Sequence, residues 1–192
     1  MKKIVIFASG SGSNAQRIVE FSRFNTGSYF VAAIFCNNPH AYVIERSRQL
    51  EVPCYLFDKT RFNGNDSNSV MAQLSGINPD LIVLAGFLWL VPEKIVNAFF
   101  GKIINIHPAL LPKYGGKGMF REIVHQSVLA SNESESGITI HYVTEKYDDG
   151  AVIIQKKCNV SKADTAETLA QKIHELEYHW YPVVISQLLE KS

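Results

Sequence analysis

The sequence predicts an α/β protein with a doubly wound, mainly parallel sheet of the Rossmann-like type. Short apolar, β-branched runs alternate with helical segments along the chain, which is typical of consecutive βαβ units with right-handed crossovers. The first run, residues 3–8, leads into the glycine turn Ser9-Gly10-Ser11-Gly12-Ser13-Asn14 and then into a helix. The 192 residues, 46% of them hydrophobic, are enough for one sizeable core. We therefore expect residues 1–192 to form a single domain.

The predicted strands follow from their apolar composition. Residues 3–8 and 102–106 are largely apolar runs, as in parallel strands that are buried on both faces. Further strands are predicted at residues 29–36, 52–56, 81–84 and 151–157. Residues 137–143 instead alternate apolar and polar side chains, which is typical of a half-buried strand. We expect that one strand to run antiparallel to the others.

The predicted helices follow from apolar spacing and from start and stop signals. They cover residues 14–24, 41–50, 67–74 and 120–130, a short segment with Pro92 at its first position, and a C-terminal segment. The turn Asn25-Thr26-Gly27 is predicted to stop the first helix. Asp164-Thr165-Ala166-Glu167 resembles a capping box for the last helix, which Pro182 should kink or divide.

Charge and composition disfavour several classes of protein. Lys plus Arg (19) nearly balances Asp plus Glu (18), so no net field attracts nucleic acid or an anionic membrane. The longest apolar run, residues 81–91, is too short to span a bilayer. Cys36, Cys54 and Cys158 are far apart, which favours reduced thiols over a disulfide framework or a zinc site. We expect a soluble, cytoplasmic protein without a metal, nucleic-acid or membrane partner.

The segment Asn105-Ile106-His107-Pro108-Ala109-Leu110-Leu111-Pro112 carries the most informative polar residues. Side chains two residues apart in a strand point the same way, so Asn105 and His107 should face one point. In open α/β sheets, ligands bind beside the loops at the carboxyl ends of the strands. A lone histidine near a strand end is more often structural than catalytic, so a catalytic interpretation needs further polar partners.

Asp148, in the turn Tyr147-Asp148-Asp149-Gly150, is a candidate partner. If Asp148 returns to the end of the strand that carries His107, an amide, an imidazole and a carboxylate meet. This set suits acyl transfer to an amine: the carboxylate stabilises the imidazolium, the imidazole moves the proton, and Asn105 stabilises the oxyanion. Aspartates in turns more often only form the turn, which is the alternative.

The glycine turn matches a dinucleotide fingerprint as Gly10-x-Gly12-x-x-Ala15. However, no Asp or Glu lies between Phe21 and His40, where such a site would hold the ribose hydroxyls, so a nicotinamide cofactor is disfavoured. A simple phosphate fits better, because N–H groups at a glycine turn and a helix N-terminus bind anions. The alternative is a tight turn that binds nothing.

Together these motifs resemble those of the phosphoribosylglycinamide formyltransferases, a branch of the formyltransferase family. The similarity runs over essentially the whole chain and includes the His107 segment, the Gly10–Asn14 turn, residues 144–148 and residues 174–177. It implies transfer of a formyl group from 10-formyltetrahydrofolate to the amine of glycinamide ribonucleotide, in purine biosynthesis. It also implies a monomer or homodimer that uses no metal.

The resemblance further implies a role for each matching position. The catalytic residues would be Asn105, His107 and Asp148. The ribonucleotide would be bound, in the N-terminal half and the last helix, by Gly12, Ser13, Asn14, His174 and Glu177. The reduced folate would be bound, mainly in the C-terminal half, by Arg61, Leu88, Trp89, Leu90, Val91, Asn105, Thr144, Glu145, Lys146, Tyr147 and Asp148.

Two positions depart from the pattern of the family. Trp89 stands where many relatives have arginine, and the loop Gly115-Gly116-Lys117-Gly118-Met119 differs from the commoner histidine-containing version. No role is assigned to Lys117 or His125.

Three other functions are considered. Methionyl-tRNA formyltransferases and formyltetrahydrofolate deformylases are expected to carry an additional domain, for which this chain has no room. A non-catalytic phosphate-binding module of similar fold is the alternative from a different class.

Overall fold

The computed structural model describes residues 1–24, 29–120 and 122–191, and these form seven strands and seven helices. The strands are β1 (Lys2–Ala8), β2 (Tyr29–Cys36), β3 (Cys54–Leu56), β4 (Leu81–Leu84), β5 (Ile103–His107), β6 (Glu135–Tyr142) and β7 (Val152–Asn159). The helices are α1 (Ser13–Phe24), α2 (Val43–Gln49), α3 (Lys59–Asn63), α4 (Val70–Ile77), α5 (Glu93–Ala98), α6 (Glu122–Ala130) and α7 (Ala166–Glu190). The predicted stop at Asn25-Thr26-Gly27 lies outside the described residues.

The strands form one sheet in the order β3-β2-β1-β4-β5-β6-β7. The pairs from β3 to β5 are parallel, and β6 is antiparallel to both of its neighbours. This arrangement confirms the predicted doubly wound, mainly parallel sheet with one antiparallel strand.

The two faces of the sheet carry two separate apolar cores. Alternation along β1 sends Ile4 and Ile6 to one face, where α1 and α7 pack, and sends Val5 and Phe7 to the other. Phe7 stacks on Phe35 there, with ring centroids 4.9 Å apart. Helices therefore cover both faces, as the continuous apolar runs predict.

β6 differs from its prediction as a half-buried strand, because residues 136–141 are buried on both faces. The polar residues Thr139 and His141 lie on the face that the loop after β5 covers, and the Thr139 hydroxyl bonds the Leu111 N–H (3.0 Å) and the Ala109 carbonyl oxygen (2.7 Å). The alternation of apolar and polar residues along β6 predicts one polar face, exposed to solvent. The covering loop makes that polar face internal.

Three helices, α3, α4 and α5, differ from what the sequence predicts. The helix α3 lies in a segment predicted to be a polar loop, and Asp58 caps it by accepting a hydrogen bond from the Arg61 N–H at 2.8 Å. The helix α4 begins at Val70 rather than residue 67, because Ser69 caps it. Pro92 occupies the N-cap of α5 and not its first helical position.

The sequence predicts that Pro182 kinks or divides the last helix, and the structure excludes a division, since the helix is continuous from Ala166 to Glu190. Buried residues lie on both sides of the proline, among them Tyr181 before it and Val184 and Ile185 after it. The Tyr181 hydroxyl bonds the carbonyl oxygens of Leu84 (2.9 Å) and Ile104 (3.3 Å) in the sheet. The capping box is also shifted by one residue, since Thr165 and Thr168 form it.

Within residues 1–24, 29–120 and 122–191, no helix is long and apolar enough to cross a membrane. Cys36, Cys54 and Cys158 are free thiols, as the sequence predicts.

Candidate active site

A cleft of about 1040 Å³ opens at the carboxyl ends of β1, β4 and β5. The sheet order reverses at β1, since β2 lies on one side of it and β4 on the other. Loops that follow β1 and β4 diverge at such a switch point and leave a crevice for a ligand. The Ser9 N–H bonds the Gly86 carbonyl oxygen and its hydroxyl accepts from the Leu88 N–H, both at 3.1 Å, which ties these two loops together.

Asn105, His107 and Asp148 meet at one side of this cleft. Asn105 and His107 lie on the same face of β5, and both reach the Asp148 carboxylate: the Asn105 Nδ2 is 3.5 Å from Oδ1, and the His107 Nδ1 is 3.5 Å from Oδ2. Asp148 adopts a left-handed backbone conformation (φ 53°), which aspartate tolerates better than most residues. The structure thus brings together the three residues that the sequence marked as catalytic candidates.

The protonation state of His107 follows from its hydrogen bond. Its Nε2 lies 2.7 Å from the carbonyl oxygen of Tyr114, and a carbonyl only accepts, so Nε2 carries the proton and Nδ1 has the free lone pair. Burial lowers the pKa of His107, although the Asp148 charge and the Tyr114 contact oppose that shift. The ring is therefore neutral near pH 7 and is able to accept a proton at Nδ1, beside Asp148.

Asp148 remains ionised although it is largely buried. Burial raises its pKa, but His141, His107 and the Gly116 N–H, which donates to Oδ2 at 2.9 Å, together outweigh burial and hold the pKa below its usual value. The carboxylate is thus a fixed negative charge beside the His107 Nδ1. It stabilises the imidazolium that forms when His107 takes up a proton.

His141 belongs to the same cluster, although the sequence analysis assigned it no role in the site. The β5–β6 register pairs His141 with Asn105, and the Asn105 Nδ2 lies 3.2 Å from the His141 Nε2. The His141 Nδ1 donates to the Tyr142 carbonyl oxygen at 2.8 Å, while its Nε2 faces both the Asn105 amide and, at 3.6 Å, the Asp148 Oδ1. Only the strand register reveals this contact.

Gln155 and Thr139 fix the loop that follows His107. The Gln155 Nε2 donates to the Leu111 carbonyl oxygen at 2.8 Å and to the Thr139 hydroxyl at 2.9 Å. Both residues come from strands far along the chain, and no local pattern in the sequence predicts either role. Their bonds hold the loop in the shape that presents the Tyr114 carbonyl to His107.

The glycine turn lies on the opposite side of the cleft and leads directly into α1. Gly12 has a φ of 75°, and an added Cβ would collide with Val43, so only glycine fits this position. Ser13 is the first residue of the 12-residue helix α1, whose initial N–H groups lack partners within the helix. Such a turn is suited to bind an anionic group.

Glu177 of α7 joins the two parts of the cleft wall. Its Oε2 accepts a hydrogen bond from the Asn14 Nδ2 at 2.9 Å, and its side chain is only 7% exposed. Burial raises the pKa of Glu177 to about 7, while the Asn14 bond opposes the shift. Near neutral pH the carboxyl group is therefore divided between its protonated and ionised forms.

We predict that replacing Glu177 with glutamine weakens the pH dependence of stability. The folded pKa of about 7 lies above the ordinary 4.5, so Glu177 binds more protons in the folded state between these values, and its contribution to stability is lost as the pH rises from about 4.5 to 7. This loss is on the order of 2–3 kcal/mol. The lowered pKa values of His107, His125 and His174 add stability over the same interval, so the loss should be read from urea unfolding at pH 5 and pH 8 as the change in the difference between wild type and Glu177→Gln.

The exposed neighbour Glu175 provides the control for that experiment. The variant Glu175→Gln should keep the wild-type dependence on pH, because it removes a carboxyl group from the same helix without changing the buried one. If Glu177→Gln and wild type lost equal stability over this interval, burial of Glu177 would not be the cause.

Most of the other predicted residues also line the cleft. Among those expected to bind the ribonucleotide, all of the following do so: Gly12, Ser13, Asn14, His174 and Glu177. Among those expected to bind folate, the cleft wall includes Leu88, Trp89, Leu90, Val91, Asn105, Lys146, Tyr147 and Asp148. Thr144 and Glu145 instead border a smaller depression next to it.

Arg61 does not line the cleft. Its guanidinium donates to the carbonyl oxygens of Asn68 and Leu56, both at 3.1 Å, and so holds the segment around α3. Trp89, the other unusual folate candidate, packs in an aromatic group with Phe57, Phe62 and Phe87. The indole ring therefore has apolar partners where a charged side chain would need polar ones.

The family model described as "Formyl transferase" matches residues 2–185. This chain belongs to the formyl transferase family. The match includes every strand and both sides of the cleft, so the family assignment applies to the whole site and not to an isolated motif.

Individual members of this family are similar over nearly their full length. The chain is 38% identical over 191 residues to the "Phosphoribosylglycinamide formyltransferase" of Bacillus subtilis, covering 98% of this chain and 95% of that protein. It is 32% identical to the protein of the same name in Escherichia coli, covering 95% and 85%. The crystal structure of phosphoribosylglycinamide formyltransferase from Bacillus halodurans superposes with a TM-score of 0.88 at 35% identity, covering 99% and 96%.

Proposed function

We propose that this chain transfers a formyl group from 10-formyltetrahydrofolate to the amine of glycinamide ribonucleotide, a step of purine biosynthesis. The observation that supports it most directly is the meeting of Asn105, His107 and Asp148 in a cleft whose other wall is the glycine turn. The three polar side chains suit proton transfer at an amine. The glycine turn suits the phosphate of a ribonucleotide. The names of the similar proteins agree with this reaction.

His107 has the central chemical role in this proposal. The substrate amine attacks the formyl carbon, a new C–N bond forms, and the His107 Nδ1 takes the proton that the amine loses. Asp148 stabilises the resulting imidazolium from 3.5 Å. The bond between the formyl carbon and N10 of the folate then breaks, and N10 receives the proton, so His107 becomes neutral again.

Asn105 stabilises the oxygen that becomes negative during the attack. In the unliganded geometry its Nδ2 is directed to His141 and Asp148. One of these two N–H groups must turn to the formyl oxygen when the substrates bind. The proposal therefore includes a small rearrangement of the Asn105 amide.

The remaining assignments divide the cleft between the two substrates. The turn Gly12–Asn14 holds the phosphate, and Glu177 contacts the glycinamide or ribose part of the ribonucleotide, with His174 nearby. Residues 88–91 and 146–148 hold the reduced folate, which serves as co-substrate without a metal. A single domain thus provides both sites, and its cytoplasmic location and monomeric or homodimeric state remain predictions.

The experiment is an absorbance assay for the loss of 10-formyltetrahydrofolate, with and without glycinamide ribonucleotide. We expect tetrahydrofolate to be released only when the ribonucleotide is present. Release without the ribonucleotide would indicate a deformylase. No release under either condition would contradict the proposal and favour a non-catalytic phosphate-binding module.

A further inference from the structure

His125 is a buried polar residue of the cleft that the proposed reaction does not use. It lies on the inner face of α6, it is 4% exposed, and its ring lines the cleft. Its Nδ1 is buried and has no hydrogen-bond partner among the described residues. A buried polar atom without a partner destabilises the folded protein, so a group that binds in the cleft and completes the bond is the expected compensation.

The position of His125 relative to the glycine turn follows from two helices. The Asn14–Glu177 bond fixes α7 beside the start of α1, and His174 lies one turn before Glu177 on the cleft wall. The helix α6 packs on α7. Burial of His125 lowers its pKa to about 4, and the neighbouring imidazoles of His174 and His107 contribute to this shift. His125, His174 and the glycine turn thus line one and the same cleft.

The charges around this position favour an anion. His125 is neutral near pH 7 and carries one N–H donor, His174 is exposed to the cleft, and Lys117 lines the same cleft without an ion pair to any described residue. Four carboxyl groups in the described ranges also line the cleft: Glu122 and Glu167 are exposed, Asp148 lies beside His107, and Glu177 bonds Asn14. Burial raises the pKa of Glu177 to about 7, so this carboxyl group is only partly charged near neutral pH.

We propose that His125 binds the 5′-phosphate of the ribonucleotide and, with His174 and Lys117, completes the site opposite the amides of Gly12–Asn14. This inference rests on the proposed function, since it concerns the same substrate. It gives a role to Lys117, which lies in the loop where this chain departs from the commoner pattern of its family, and to His125 of α6.

The test compares two substrates in His125→Leu. For glycinamide ribonucleotide we expect KM to rise about tenfold to a hundredfold, because a hydrogen bond to a charged group is lost, while kcat changes less than about threefold. For the same substrate without its phosphate, kcat/KM should be the same in the variant and the wild type. His125→Gln, which keeps an N–H donor, should recover most of the affinity.

The exposed His179 of α7 is the matched control, and His179→Leu should leave both substrates unaffected. An equal loss of kcat/KM with both substrates would overturn a phosphate contact, as would an unchanged KM for the ribonucleotide. Wild-type turnover in the same assay separates the two proposals, since its absence would contradict the proposed function itself.

A measurement on the wild type avoids any dependence on whether the variants fold. The ¹⁵N resonances of the His125 ring should shift when ribose 5-phosphate is added and should not shift with ribose. If ribose 5-phosphate perturbs the backbone resonances of Gly12–Asn14 but leaves the His125 ring unchanged, the inference is wrong.

Discussion

His107→Ala is expected to lower kcat by roughly 10²-fold or more, with a much smaller change in the KM of either substrate. The variant loses the only atom that the proposed mechanism uses to move the proton, the Nδ1 beside Asp148. Its glycine turn and folate wall are separate segments of the cleft and should keep their shape. Steady-state kinetics with both substrates varied, at pH 7.5, measure both constants.

The control for this variant is His179→Ala, which removes an exposed imidazole far along the chain. It should keep wild-type kinetics. Since His107 is 3% exposed, a thermal melt should accompany the kinetics to show that the variant is folded at the assay temperature. Wild-type turnover in folded His107→Ala would refute the proposed role of the imidazole.

Asp148→Asn is expected to reduce kcat by about tenfold to a hundredfold and to affect ribonucleotide binding much less. Asparagine has nearly the same shape, and its amide oxygen can still accept from the Gly116 N–H. The negative charge that raises the pKa of His107 is lost, however, so burial lowers that pKa further and the imidazolium becomes harder to form. Single-turnover rates and isothermal titration with the ribonucleotide separate the two effects.

The adjacent residue Asp149 gives a matched control, because its side chain is 59% exposed and its ion pair with Lys146 lies at the surface. Asp149→Asn should leave both turnover and binding unchanged. Equal losses of turnover and binding in Asp148→Asn would instead make Asp148 a substrate-binding residue. The acid limb of the pH–rate profile should also move to lower pH in Asp148→Asn, since the pKa of His107 decreases.

The order of strands and helices was available from the sequence, because each element carries its own local signal. Alternation of apolar runs with helical segments predicted the doubly wound sheet, and period-2 geometry placed Asn105 and His107 on one face. Short polar helices were harder: α3 depends on a cap from Asp58 that resembles any polar turn. The continuity of α7 through Pro182 depends on packing of Tyr181 against the sheet, which no local pattern shows.

The site divides in the same way. The sequence by itself determined the fold class, the glycine turn before the first helix and the position of the His107 segment at a strand end, since these depend on residues that are neighbours along the chain. Only the tertiary structure decided that His141 contacts Asn105, that Thr139 and Gln155 hold the loop, and that Arg61 bonds backbone carbonyls away from the cleft. It also decided that the buried Nδ1 of His125 has no partner in the part of the chain that the structure describes. Strand register and helix packing set these contacts, and both depend on distant segments whose relative positions are fixed only when the whole core forms.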